Sequence, residues 1–171
     1  MKTAFIFVLF KTPQSEISRL KKEVENLKLK NYQIYFIDNS ENGQGYAFGV
    51  NQGIKNALKD DCELFVIANP DIKLDTLVKL DQLVKSNPFD IFSFAMKQQG
   101  KTYYGGEIDK WRMSCGLIEK RPTKRFVETD FVSGSLMFIK KKVIDKIDPP
   151  RKGFDESYFM YYEEVDYCYR A

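Results

Sequence analysis

The 171-residue chain contains no histidine. That absence excludes Ser-His-Asp triads, Cys-His pairs and imidazole-bound metals together. Any metal must be held by oxygen, which favours Mg²⁺ or Mn²⁺. Cysteine is scarce: Cys62, Cys115 and Cys168 lie far apart, in no metal or redox spacing. An odd number without a secretory segment points to reduced thiols and a cytoplasmic location. Long apolar runs are also lacking, since none approaches the ~20 residues a membrane span needs. The opening "MKTAFIFVLFKTP" imitates a signal peptide, but Lys11, Thr12 and Pro13 follow it instead of a small-residue cleavage site. It is expected to be a buried strand. The net charge is only +3, too small to argue for nucleic acid. The basic clusters Lys21-Lys22 and Lys140-Lys141-Lys142 are short and read as solvated faces. A weak peripheral contact with anionic headgroups at the inner face of the plasma membrane stays open, as does a homo-oligomer.

What is present describes one globular α/β domain. Hydrophobic residues make up 43% and charged residues 30%, enough to build a core and a solvated surface. Strands are expected at residues 4–10, 32–37, 64–68 and 91–96. Between them Ile17, Leu20, Val24 and Leu27 recur at helical spacing, with Ser15 as the expected N-cap. Ala47, Val50, Ile54, Ala57 and Leu58 mark a second helix, and Leu74, Leu77, Val78 and Val84 a third. Strand-helix alternation with short links predicts a mostly parallel sheet covered on both faces. Residues 97–130 then lose any sustained period and read as an irregular or hairpin-rich insertion. A last strand is expected at 135–139, a short helix near 141–147, and a turn-rich "DPPRKGFDE" after that. The chain thus divides into a regularly alternating half, 1–96, and a less regular half, 97–171.

Three carboxylate positions invite chemistry, and each has a structural alternative. In "ANPDIKLD" the apolar run 64–67 ends in Asn69, Pro70 and Asp71. These are turn formers, yet in open α/β sheets ligands sit outside the carboxyl ends of strands. Asp38 ends the second strand before "ENGQGYAFGVNQGI", where it either caps a turn or accepts hydrogen bonds from a base or a ribose. The glycines there are spaced Gly43-x-Gly45-x-x-x-Gly49, one residue too long for a dinucleotide fingerprint. Finally, Glu163, Glu164 and Asp166 open an expected helix. Acidic helix starts are favoured by the macrodipole. The aromatic approach of Phe154, Tyr158, Phe159, Tyr161 and Tyr162 would also desolvate a carboxylate and make it a better base.

Phe10, "DNS" 38–40, Gly45-Tyr46-Ala47-x-Gly49-x-Asn51-x-Gly53, "NPD" 69–71, "SGS" 133–135 and "GFDESYFMYYEEVDYCYRA" 153–171 stand in one order along the chain. In that order they resemble the family-2 glycosyltransferases, in particular the bacterial rhamnosyltransferase-like branch that builds cell-surface polysaccharides. The resemblance spans the chain and is weakest across 97–130. It implies a GT-A fold, a UDP- or dTDP-sugar donor, a divalent Mg²⁺ or Mn²⁺, and inverting transfer to a glycan or lipid-linked acceptor. It further implies that 1–96 is the nucleotide-binding half and 97–171 the acceptor-side half. Carried over by position, Phe10 and Asp38 contact the nucleotide, and Asn69 and Asp71 hold the D-x-D slots with Asp71 as metal ligand. Gly134 and Ser135 line the donor-sugar pocket, and Glu164 is the general base. Asn69 stands where aspartate is common, Glu164 where Asp is commoner, and Lys11 where Asn is frequent.

A nucleotidyltransferase would carry a Gly/Arg/Lys-rich loop after the first strand, where this chain has "KTPQSE". A catalytically silent nucleotide-sugar or polysaccharide-binding module is the other rival reading. The resemblance also implies about a hundred further residues after Ala171. The chain is therefore expected to be a catalytic-domain fragment or short form, with fraying at 167–171 for want of partners for the last helical carbonyls.

Overall fold

A computed structural model describes residues 1–41, 43–74, 80–112, 114–147 and 153–171. In chain order the elements are β1 (Thr3–Leu9), α1 (Gln14–Asn26), β2 (Tyr32–Asp38), α2 (Tyr46–Lys59), β3 (Leu64–Ala68), α3 (Leu80–Ser86) and β4 (Ile91–Phe92). Then come β5 (Met96–Gln98), β6 (Lys101–Tyr103), β7 (Gly106–Asp109), β8 (Ser114–Leu117), β9 (Leu136–Lys140), α4 (Lys141–Lys146) and α5 (Glu163–Arg170).

Five strands form the central sheet in the order β2-β1-β3-β9-β4. Alternation along β1 sorts its side chains to two faces. Ala4, Ile6 and Val8 join the core under α2, α4 and α5, while Phe5, Phe7 and Leu9 join the core under α1 and α3. Both faces of β1 are buried, so its sequence is a continuous apolar run. The helix α2 approaches β1 closely. A Cβ added at Gly49 would lie 2.6 Å from a methyl of Val8, and one at Gly53 would overlap Ile6. Both glycines therefore serve helix-to-sheet packing.

The sheet is mixed, where a mostly parallel one was expected. β1 runs parallel to β2 and β3, but β9 is antiparallel to both β3 and β4. A parallel neighbour needs a crossover that returns the chain to the sheet's starting edge. Here the excursion through two hairpins, β5–β6 and β7–β8, brings the chain back at the opposite edge. β4 is only two residues long, because Ser93 leaves the ladder and donates its hydroxyl to the Leu136 carbonyl at 2.6 Å. The cap of α1 is Pro13 in extended conformation and not Ser15; the Pro13 carbonyl accepts from the amides of Glu16 and Ile17. Leu77 and Val78 of the expected third helix, and residues 148–152 of the turn-rich segment, lie outside the described residues. Among the described residues no helix is long and apolar enough to cross a membrane.

Candidate functional site

The sheet topology collects the candidate residues before any side chain is considered. β1, β2 and β3 are parallel, so Phe10, Asp38 and Asn69-Pro70-Asp71 all follow strand ends at one edge. β9 is antiparallel, so the segment leading into it, Ser133-Gly134-Ser135, meets that same edge. The Asn69 amide donates to the Ser135 carbonyl at 3.0 Å and fastens the two together. The chain moves from β1 to β2 on one side and later to β3 on the other, which opens a crevice at the carboxyl ends.

On the β2 side, Asp38 is exposed and accepts from both the amide and the hydroxyl of Ser40, which hold its carboxyl below the usual carboxylate range. The Ser40 hydroxyl oxygen in turn accepts from the Lys11 amide at 2.7 Å. Lys11 has φ 50°, an uncommon conformation for a side-chain-bearing residue. Phe10 beside it is 65% exposed, with the Lys11 ammonium 5.6 Å from its ring centroid. A flat aromatic face is thus left open next to an ionised carboxylate.

At the end of β3, Asp71 is exposed and makes no hydrogen bond or ion pair among the described residues. Among those residues, no group of three carboxylates or thiols is placed to hold a metal ion. Mg²⁺ in phosphate-transfer sites is commonly held by one or two carboxylates plus substrate phosphates. A free oxygen donor at the crevice fits that mode and does not fit an all-protein cage.

The far side of the candidate site is built by α5. Tyr162 precedes it with φ 69° and Tyr161 has φ 72°; such strained backbone clusters at functional sites. The strap is held from below. The Tyr46 amide donates to the Phe159 carbonyl at 3.2 Å, and a Cβ at Gly45 would sit 2.5 Å from that oxygen. Asn51 bonds the strap at its base, accepting from the Phe154 amide and donating to its carbonyl. Neither role is visible in local periodicity. The residue types alone, Gly45-Tyr46 and Asn51, are the signal that sequence offered.

Glu163 and Glu164 take opposite environments, as neighbours about a hundred degrees apart on a helix must. The Glu164 side chain lies over Gly134: a Cβ there would be 3.5 Å from its Cβ and Cδ. Burial, and after it the Glu164 charge, pushes the Cys115 thiol of β8 up. Glu163 is buried, and its Oε2 has no hydrogen-bond partner among the described residues. The desolvated carboxyl is therefore Glu163, where the aromatic approach had suggested the acidic cluster as a whole. Burial, reinforced by Glu164, pushes its pKa up. Asp166 faces away, paired with Arg170 at 2.7 Å.

Tyr46 links the two halves. Its hydroxyl donates to the Gly134 carbonyl at 3.3 Å. Burial pushes its pKa up, and Glu163, Glu164 and Asp71 push it further. One phenol therefore feels the acids of both sides, and the site is a single constellation. A cleft of about 790 Å³ along β4 and residues 121–132 is lined by none of Asp38, Asp71 and Glu164. The chemistry of the side chains, and not cavity size, marks the site.

The expected fraying at 167–171 is opposed by specific contacts. Tyr167 is fully buried and stacks on Phe154 with ring centroids 4.3 Å apart. Arg170 reaches the Gly153 carbonyl at 3.0 Å.

Comparison with known proteins follows the same line. The chain is 31% identical over 147 residues, 81% of its length, to the low-salt glycan biosynthesis hexosyltransferase Agl10 of Haloferax volcanii. The likeness is to a sugar transferase. The chain covers 46% of that relative, so it spans about half the relative's length. No family model matches. The crystal structure of A197 from STIV shares the fold, with a TM-score of 0.53 at 18% identity over 98% of this chain and 76% of that one. The catalytic domain of Drosophila β1,4-galactosyltransferase 7, in complex with xylobiose, aligns at a TM-score of 0.48 and 10% identity, over 97% of this chain and 58% of that one. At that distance it carries no argument.

The Glu163 environment gives a pH signature. A carboxyl whose folded pKa is raised binds more protons folded than unfolded. The stability it contributes is complete below the ordinary carboxylate range and is lost as pH rises through the raised folded value. Glu163→Gln removes that loss. Melting temperatures should therefore diverge with rising pH across this window, with the variant the more stable. Parallel curves would show that Glu163 finds a partner that neutralises its burial.

Proposed function

We propose that this chain is the donor-binding and catalytic domain of an inverting, family-2-type glycosyltransferase with a GT-A fold. The observation that carries the reading is that Asp38 and Asp71 stand at the carboxyl ends of parallel strands, while the Glu164 side chain lies over Gly134, whose carbonyl accepts from the Tyr46 hydroxyl. The likeness to a glycan-biosynthesis hexosyltransferase supports it. The donor is a UDP- or dTDP-sugar carrying a hexosyl or rhamnosyl unit. The acceptor is a hydroxyl of a cell-surface polysaccharide or lipid-linked glycan. The location is cytoplasmic, with peripheral contact at the membrane.

The residue inventory suits this chemistry. A glycosidase needs two carboxylates about one bond, one of them to protonate the leaving group. A nucleoside diphosphate already leaves as an anion, so one base on the opposite face is enough. Phe10 offers a ring to the nucleotide, and Asp38 accepts from the base or ribose. Gly134, with no side chain, leaves room for the donor sugar between Ser135 and Glu164. Glu164 takes the proton of the acceptor hydroxyl as that oxygen bonds to the anomeric carbon and the bond to the diphosphate breaks. Asp71 would hold Mg²⁺ or Mn²⁺, which when bound supplies Lewis-acid neutralisation of the departing diphosphate.

A thermal-shift series with UDP, dTDP and their sugars, with and without Mn²⁺, tests the reading. At a hundred times Kd a ligand stabilises by about 2.7 kcal/mol. For a chain of this size that is roughly 5–10 °C in Tm. A shift that requires Mn²⁺ is expected. No shift with any nucleotide up to millimolar concentration would overturn the proposal.

A further inference from the structure

The geometry points to Arg19 and Glu23 of α1 as positioning residues for Asp71; the inference rests on the reading of Asp71 as the metal-binding acid. The Arg19 guanidinium donates to the Pro70 carbonyl at 2.7 Å and to the Ile72 carbonyl at 3.1 Å. These are the carbonyls of the residues immediately before and after Asp71. A planar fork with donors on both terminal nitrogens can grip both at once, which a lysine ammonium on a flexible stem cannot reproduce.

The fork is itself held. Arg19 pairs with Glu23 at 2.6 Å and with Glu16 at 2.9 Å, all on one face of α1. The second oxygen of Glu23 accepts from the Leu74 amide at 2.8 Å. Leu74 is fully buried in the core beneath α1. Thus a helix on one side of the sheet grips the loop at 70, 72 and 74, while the Asn69 amide ties its start to Ser135. The Arg19 side chain is 27% and the Glu23 side chain 16% exposed, so the pair is screened less by water and salt than a fully exposed bridge.

The arrangement leaves Asp71 itself without a hydrogen-bond or ion-pair partner among the described residues, exposed at the crevice, while the peptide before it is held by Arg19 and the peptide after it by the bond from the Ile72 amide to the Asn69 carbonyl. Supporting groups of this kind orient ligating carboxylates, and their removal typically costs roughly 10–100-fold in metal affinity.

The test uses Arg19→Met, Arg19→Lys and Asp71→Asn in the same chain. Calorimetry measures UDP and dTDP affinity with and without Mn²⁺. Hydrogen exchange reads the amides of Asp71, Ile72 and Leu74 with neither nucleotide nor metal. Arg19→Met should weaken the Mn²⁺-dependent affinity about 10–100-fold, leave the Mn²⁺-independent part unchanged, and speed exchange of the loop. Arg19→Lys, which keeps the charge for Glu16 and Glu23, should fall between and guards against misfolding of the Met variant. A folded Arg19→Met with wild-type Mn²⁺-dependent affinity and wild-type loop exchange overturns the inference. If Asp71→Asn keeps full Mn²⁺ dependence, or neither nucleotide binds, the metal assignment of Asp71 falls. The exchange measurement then decides alone whether Arg19 orders the loop.

Discussion

Glu164→Gln should lower sugar transfer by about 10²–10⁴-fold while donor affinity barely changes, the range that a positioned general base contributes. The argument is geometric. The Glu164 side chain lies over Gly134, whose carbonyl accepts from the Tyr46 hydroxyl, and the proposed function puts the donor sugar there. Glutamine keeps the shape and removes only the proton acceptor. Glu163 is the natural rival, because it is the desolvated member of the pair. Yet its burial, at 5% exposure, leaves no path for an acceptor hydroxyl to reach it. Glu163→Gln should therefore act mildly on turnover and chiefly on the pH dependence of stability. Asp166→Asn should act through stability, since Asp166 pairs with the arginine that ties α5 to Gly153. Steady-state kinetics with a defined acceptor, on a protein that transfers to it, separates the three. Near-normal kcat in Glu164→Gln with loss in Glu163→Gln would move the base by one residue.

The legible parts of this fold are those where burial is two-sided. β3 occupies 64–68 as expected and β1 differs by a residue at its ends, because both faces of these strands are covered and their apolar runs are long. β2 is a partly buried edge strand carrying Gln33 and Asp38, and it was legible within a residue from its aromatic and β-branched side chains instead. The direction of β9 was not legible. A strand's side-chain alternation is the same whichever way it runs, and only the path of residues 93–135 decides. The site divides along the same line. Asp38, Asp71 and Glu164 stand out as carboxylates at element ends. Arg19, Asn51 and Tyr46 do not, for their partners lie 51, 103 and 88 residues away. Arg19 in particular reads from sequence as one side of an i, i+4 surface pair with Glu23. Its bonds to the Asp71 loop appear only when α1 packs against the sheet.

Asp71→Asn should remove the Mn²⁺-dependent part of nucleotide binding and reduce transfer by roughly 10²–10³-fold, the cost of losing one preorganised electrostatic contact to developing charge. Its carboxylate has no competing bond among the described residues, so the substitution strands no donor and leaves no buried cavity. The loop is held by backbone contacts, from Arg19 to the carbonyls of Pro70 and Ile72 and from Leu74 to Glu23. Those contacts survive the change, so the melting temperature without ligand should move little. Calorimetry with and without Mn²⁺ measures the change in nucleotide binding. Unchanged Mn²⁺ dependence in a folded Asp71→Asn variant would place the metal-binding acid elsewhere and leave the "NPD" segment as a turn alone.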